Sequence, residues 1–428
     1  MSFSRVVPVA MVLLLPAAAA SGRQAILTGS VSLLNEYDSN VGLTETAKEN
    51  GWFTTLSPSL VLTSEGPRDK LSFGYAPALR YHHENGGKQV DHFLTLDGSK
   101  QFSRRFSMEV RESFMRSNDY TYYVREYVEQ PGAGIPLSAD RTRSDYWTNG
   151  VTVAANYEYA EKSFLKGGYT NQILENDSPS VDDHVQHHPY LSVTRQLNHQ
   201  WETELSYDYL KGDFRVSPDL DEHRLGALLN FLVNPHDLVF GSYQYTTLNY
   251  ERDRSGYDLH RGDIGWQRGL GPETAMAASV GVSYADLESG RGETAFDYAA
   301  EYTRKINHGS FKVAGKGGME ELQFDAITQG GLSRFWSVRG DVDYQLTAGL
   351  SSQPYLLYRE DTFIEASPHH GEKSLVGGLS LTYAFWRWYA IAAGYSYRQL
   401  DSELPGNSYD DHRIYVQLNA GKELKRWL

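Results

Sequence analysis

Apolar and polar residues alternate in strand-length stretches along nearly the whole chain, and this period of two constrains the fold more than any other feature. In one such stretch, Leu71, Phe73 and Tyr75 alternate with Ser72 and Gly74. Successive side chains of a strand point to opposite faces, so the pattern predicts strands with one apolar and one polar face. Such strands can build a soluble sandwich, with the apolar faces inside, or a membrane barrel, with the apolar faces toward lipid.

The lengths of the strands and of their connections favour the barrel. The stretches run for about 10 residues or more, whereas strands of soluble sheets average about 5–6. Tight turns such as Asn234–Asp237 alternate with long polar loops such as Asn118–Ser144, and in outer-membrane barrels the short turns are periplasmic. About nine turns and ten loops predict one all-β domain over residues 21–428, a transmembrane antiparallel up-and-down β-barrel of about 18–20 strands.

Composition agrees with a barrel that spans a membrane. The 30 Tyr and 8 Trp suit the aromatic girdles at the two membrane interfaces. The absence of cysteine removes disulfides, thiolate metal sites and cysteine nucleophiles. The formal net charge of −14 argues against nucleic acid as a partner, because nucleic-acid binding needs a basic surface.

Residues 1–20 have the form of a secretory signal peptide. Ser2–Arg5 is a short positive segment, Val6–Ala17 is apolar but too short to span a membrane, and Ala18–Ala20 offers small side chains to a signal peptidase. We therefore expect cleavage directly after this segment and residence in the outer membrane of a Gram-negative cell. The strand pattern begins almost at once, at Ile26–Leu34, so we expect no N-terminal plug domain.

Three prolines fall inside predicted strands, at Pro58, Pro77 and Pro189. Proline cannot donate a hydrogen bond to the strand ladder, so inside a sheet it is confined to edges and bulges. We therefore expect bulges at these positions.

Short motifs toward both ends of the mature chain resemble the putative β-barrel porin 2 type of outer-membrane protein, including members associated with exopolysaccharide and PEP-CTERM/exosortase systems. The motifs are Glu36–Val41, Thr54–Leu60, Tyr344–Thr347, Tyr395–Arg398 and Tyr409–Arg413. The resemblance implies a barrel that is encoded with extracellular-polysaccharide synthesis and export. It also implies that the barrel lets polymer or a related solute cross the outer membrane.

The polar faces of the predicted strands would line the lumen and carry charges of both signs. Such charges either set the ion selectivity of a pore or pair with one another in the wall, and the sequence leaves both alternatives open. The pore-lining candidates are Asp91, Asp97, Glu109, Arg111, Glu301, Arg339, Asp341 and Asp343. The longest loop, Asn118–Ser144, is the candidate constriction, and its candidate residues are Tyr120, Tyr122, Tyr123, Arg125 and Tyr127.

Motifs for catalysis, cofactors or metal ions are weak. The pairs His82–His83, His187–His188 and His369–His370 place adjacent side chains on opposite strand faces, so they rarely bind one ion. Loop carboxylates such as Asp182 and Asp183 lack the spacing of an EF-hand. The chain has no Gly-x-Ser-x-Gly nucleophile elbow. We therefore expect no enzyme activity, no cofactor and no metal ion.

Three functions remain open at this stage. The resemblance favours a channel for exopolysaccharide, and the fold alone is equally compatible with a general or substrate-specific diffusion porin. A barrel enzyme or a purely structural barrel is the third alternative. The expected partners are outer-membrane lipid and lipopolysaccharide and, for the first function, polysaccharide and periplasmic export components.

Overall fold

The computed structural model describes residues 23–119, 144–178, 182–251, 256–288, 290–322, 331–364 and 370–427. In this part of the chain, twenty antiparallel strands form a single sheet. Each strand pairs with its neighbours in sequence, and the first strand also pairs with the last, so the sheet closes into an up-and-down barrel. The predicted all-β barrel is confirmed, with the strand number at the upper end of the expected range.

The strands are 12 to 19 residues long, which is enough to cross a bilayer at a tilt. In chain order they are β1 (Gln24–Asp38), β2 (Gly51–Glu65), β3 (Asp69–His82), β4 (Lys88–Gln101), β5 (Phe106–Ser117), β6 (Tyr146–Ala160), β7 (Ser163–Asn176), β8 (His184–Gln196), β9 (Trp201–Phe214), β10 (Leu220–Asn234), β11 (Asp237–Tyr250), β12 (Tyr257–Gly269), β13 (Thr274–Leu287), β14 (Gly292–Ile306), β15 (Gly309–Leu322), β16 (Gly331–Gln345), β17 (Leu350–Phe363), β18 (Gly371–Phe385), β19 (Tyr389–Ser402) and β20 (Tyr409–Trp427). No helix among the described residues is long and apolar enough to cross a membrane.

The connections form two classes, one at each rim of the barrel. The tight turn between β10 and β11 is held by Asn234, whose Oδ1 accepts hydrogen bonds from the backbone N–H groups of His236 at 2.9 Å and Asp237 at 3.1 Å. The longer loops, such as the one from Asp38 to Gly51, lie at the opposite rim. By the outer-membrane arrangement, the rim of tight turns is periplasmic and the rim of long loops is extracellular.

Two observations show which face of the wall is outside. Leu205, Ile264 and Phe296 lie on one face of their strands, and more than half of each side chain is exposed. On the other face, the Arg359 guanidinium of β17 reaches Glu320 of β15 at 2.7 Å, across the intervening β16. Side chains converge only on the concave side of a closed sheet, so the apolar face points to lipid and the polar face lines the lumen.

The three prolines interrupt the ladder without changing its register. Pro58 and Pro77 oppose each other on β2 and β3, and Pro189 lies on β8 where the pairing with β9 is interrupted. Both strands of each interruption have the same number of residues, so the bulges expected at these prolines are absent there. The missing proline donors are therefore accommodated by gaps in the ladder.

The outer face carries a repeated tyrosine–histidine pair, in which the tyrosine lies at the middle of its strand and the histidine lies toward the extracellular rim. In each case a tyrosine hydroxyl is hydrogen-bonded to the Nδ1 atom of a histidine on the next strand, at 2.5 to 2.9 Å. Rings that combine an apolar body with a polar tip suit the membrane interface, so the histidines of these pairs belong to the extracellular aromatic girdle. The pairs are Tyr75–His92, Tyr169–His187, Tyr207–His223, Tyr243–His260 and Tyr395–His412.

Candidate functional site: the barrel lumen

The eight charged residues predicted to line the pore all lie on the lumen side of the wall, since each alternates with outward-facing neighbours. They form two groups rather than one ring. One group is on β4 and β5 and comprises Asp91, Asp97, Glu109 and Arg111; the other is on β14 and β16 and comprises Glu301, Arg339, Asp341 and Asp343. The two groups are about half way round the ring from each other, so they face one another across the lumen.

The group on β4 and β5 is centred on Arg111. Its guanidinium lies 3.4 Å from the Glu109 carboxylate and 4.0 Å from that of Asp97. The side chains of Arg111 and Asp97 are 71% and 62% exposed, so these ion pairs are solvated and weak. Such charges can turn toward a passing solute at little cost.

The group on β14 and β16 is more tightly paired. Arg339 binds Asp341 through two parallel bonds of 2.8 Å, a geometry that fixes both side chains. Glu301 pairs with Lys312 of β15 at 2.8 Å. Asp343 lies two residues beyond Asp341 toward the periplasm, on the same face of β16. Arg339, Asp341 and Glu301 are therefore engaged in ion pairs within the wall.

Asp91 differs from the other seven residues because it is fully buried near the extracellular rim. It accepts a hydrogen bond of 2.5 Å from Gln89 Nε2, next to an ion pair between Arg80 and Asp119. Asp91 therefore contacts other wall residues instead of the open lumen.

The candidate constriction residues Tyr120, Tyr122, Tyr123, Arg125 and Tyr127 lie outside the described residues. Asn118 and Asp119 are described at one end of this loop and Ser144 at the other. The direction of the loop therefore stays a prediction.

Side chains crowd the extracellular half of the lumen, a feature that the sequence pattern did not predict. Ion pairs there join inward side chains, as between Arg413 and both Asp38 at 3.0 Å and Asp411 at 2.8 Å. A buried extracellular apolar cluster lies farther round the barrel, along the strands from β9 to β17. Its members are Phe214, Leu220, Leu248, Tyr250, Tyr257, Leu259, Ala285, Leu287, Ala295, Met319, Leu332 and Ile364. Most of these residues occupy inward positions at strand ends, where polar residues were expected.

Four aromatic rings lie over glycines of a neighbouring strand on the lumen side. A Cβ built at Gly168 would be 2.6 Å from the Tyr190 ring, and one at Gly378 would be 2.8 Å from the Tyr355 ring. A side chain in place of these glycines would force the rings off the wall. The pairs are Tyr190–Gly168, Phe240–Gly265, Tyr355–Gly378 and Tyr415–Gly394. Because each pair joins two strands, only the register of the barrel brings it together.

The adjacent histidines of β8 separate as expected for a strand. His187 faces outward to Tyr169, whereas the Nε2 atom of His188 faces inward, 3.2 Å from Asp208. Within the described ranges, no three His, Asp or Glu side chains are placed to hold a metal ion. His369 lies outside those ranges.

Comparison with protein families supports the resemblance noted from the motifs. Residues 321–422 match the model of the putative beta-barrel porin 2 family. The matched segment contains three of the motifs, Tyr344–Thr347, Tyr395–Arg398 and Tyr409–Arg413. No curated protein is significantly similar to the chain. The resemblance to this porin family is therefore confirmed over the C-terminal strands.

Solved outer-membrane receptors share the fold. The siderophore receptor PirA from Pseudomonas aeruginosa has a TM-score of 0.54 at 11% identity, over 93% of this chain and 80% of PirA. A mutant of the ferric enterobactin receptor PfeA from the same organism, in complex with enterobactin, has a TM-score of 0.51 at 10% identity, over 93% of this chain and 81% of PfeA. At this identity the similarity concerns the fold alone. The chain therefore has the β-barrel fold of these receptors, and residues 321–422 are similar to the porin family.

Proposed function

We propose that the barrel is a channel that passes exopolysaccharide, or a related saccharide, across the outer membrane. The observation that carries the proposal is the set of four aromatic rings that lie along the lumen wall over glycines. Aromatic rings offer flat apolar faces, and sugars present apolar C–H faces that pack on them. The proposal includes export directed by residues 1–20 as a cleaved signal peptide and involves no catalytic step.

The polar groups of the lumen complement these rings. Tyr415 Oη donates a hydrogen bond to Ser380 Oγ at 3.1 Å, which holds its ring along the wall. The two facing charged groups offer carboxylates and guanidinium groups to sugar hydroxyls from opposite sides. Conduction of a polymer requires many weak contacts instead of one tight site, because the solute must leave as readily as it enters.

The test is single-channel recording in planar bilayers with maltohexaose as the probe saccharide. We expect the sugar to interrupt the current, and the triple variant Tyr190→Ala, Tyr355→Ala and Tyr415→Ala to shorten each interruption. The lifetime should fall about tenfold if the three rings together contribute about 1.4 kcal/mol. Tyr243→Ala is the matched control, because Tyr243 is half exposed on the lipid face.

The same recording tests the second candidate function, a general diffusion porin, which the exposed charges of mixed sign around Arg111 favour. Ion conductance without any interruption by maltohexaose would support that alternative and contradict the saccharide channel. Equal shortening by the triple variant and by Tyr243→Ala would also contradict it, because the lumen rings would then have no special role.

A further inference from the structure

The wall of the barrel has a break between β14 and β15. These strands pair only from Tyr298 with Gly317 down to Ile306 with Gly309. Above this level, β14 continues as Gly292–Asp297 and pairs only with β13, whereas β15 continues as Gly318–Leu322 and pairs only with β16. We call the space between these two segments the β14–β15 slit. At about 3.3 Å per residue it is about 16–20 Å long.

Gly318 accounts for the break. Its φ of +152° lies in a region that other residues rarely adopt, and a Cβ there would collide with the Asp297 carboxylate. After this residue β15 no longer follows β14, and the next side chain, Met319, is fully buried in the extracellular apolar cluster.

Side chains, instead of a backbone ladder, hold the slit closed. Asp297 accepts a hydrogen bond from the backbone N–H of Met319 at 3.3 Å, and Arg261 donates to the Met319 carbonyl. Arg261 also lies 3.6 Å from Asp297. Farther up, Arg334 of β16 donates to the Thr294 carbonyl at 3.3 Å. We call Asp297 and Arg261 the clasp.

The position of the slit relates it to the lipid. At its base, Tyr298 pairs with Val280 and Phe296 with Val282, which are both exposed on the apolar outer face. At its upper part, Thr294 pairs with Tyr284, which lies beside the girdle residue His260. The slit therefore extends from the apolar belt to the extracellular interface, in the half of the barrel that faces the outer leaflet.

We propose that the β14–β15 slit is a binding site for the acyl chain of an outer-leaflet lipid, which enters between the strands and packs on the extracellular apolar cluster. Strand edges with unpaired N–H and C=O groups are costly beside lipid. Here a few side-chain bonds replace a continuous ladder, so this part of the wall opens at a lower free energy than the rest. An apolar chain would find Met319, Leu332 and Ala295 directly behind the opening.

The experiment uses the full-length protein in phosphatidylcholine vesicles that contain a phosphatidylcholine with a diazirine group on one acyl chain. After irradiation, mass spectrometry identifies the labelled residues. We expect label on Met319 or Leu332, which are fully buried members of the extracellular apolar cluster. Asp297→Ala removes the carboxylate of the clasp and should raise this label several-fold, and Asp297→Asn, which keeps an acceptor for Met319 N–H, should raise it less.

Asp91→Ala is the matched control. Asp91 is buried like Asp297 and accepts a hydrogen bond from Gln89 at 2.5 Å, but it lies on β4, far round the barrel from the slit, in an intact ladder with β3. Heat-modifiable gel mobility selects the folded fraction of each variant. Label confined to outward residues such as Phe296, in the wild type and in both Asp297 variants, would overturn the proposal. An equal rise in Asp91→Ala would also overturn it, because general loosening of the barrel would then explain the label.

Discussion

At the scale of single residues, the glycines beneath the lumen rings decide how the wall is packed. Glycine in a strand usually costs about 0.5–1 kcal/mol relative to alanine, so Gly262→Ala, with open space around its Cβ, should stabilise the barrel by about that amount. Gly168→Ala should instead destabilise it by about 1 kcal/mol, because the new Cβ displaces the Tyr190 ring from the wall. Urea unfolding in lipid vesicles measures both changes.

The two substitutions are chemically identical, so the opposite signs are the test. A stabilising effect of Gly168→Ala equal to that of Gly262→Ala would show that the Tyr190 ring does not depend on the space above this glycine.

At the scale of the strand, one face of β18 contacts lipid and the other faces the aqueous lumen. Leu379 is exposed on the outer face and pairs with Tyr395 of β19, so Leu379→Arg places a charge in the apolar belt. The expected cost is about 2–4 kcal/mol, because Leu379 lies near the middle of β18 and therefore near the bilayer midplane. Thr382→Arg, three residues along on the lumen face, should be tolerated because the charge remains in water. Heat-modifiable gel mobility after refolding into vesicles reports the folded fraction of each variant.

Leu379→Arg and Thr382→Arg lie on the same strand, so its length, its neighbouring strands and its register are the same in both variants. Comparable loss of folded protein in both variants would contradict the assignment of the outer and lumen faces on β18.

At the scale of the whole molecule, the barrel depends on the seam where β20 meets β1. There, Arg413 pairs with Asp38 and Asp411, and both carboxylates are almost fully buried. Arg413→Met would leave two buried carboxylates without this cation, and breaking a buried ion pair in this way costs about 3–5 kcal/mol. We expect a lower temperature for the loss of the compact band on gels. Arg426→Met removes an exposed ion pair with Glu423 on the same strand and should have little effect.

A closed barrel has no independent subdomain that could remain folded after its seam opens, so the effect should appear in the cooperative unfolding of all strands. Unchanged heat stability of Arg413→Met would contradict a structural role for the ion cluster at the seam.

The sequence by itself determined the strands, their two faces and the division into tight turns and long loops, because the direction of a side chain along a strand is a local property. It also predicted that the candidate charges share the polar faces of their strands. Only the tertiary structure decided which residues meet, because closure and register join positions far apart in the chain, such as Tyr190 with Gly168 and Arg413 with Asp38. The break in the β14–β15 hydrogen-bond ladder beside Gly318 could likewise not be predicted from the sequence, since the pairing of two strands depends on both of them.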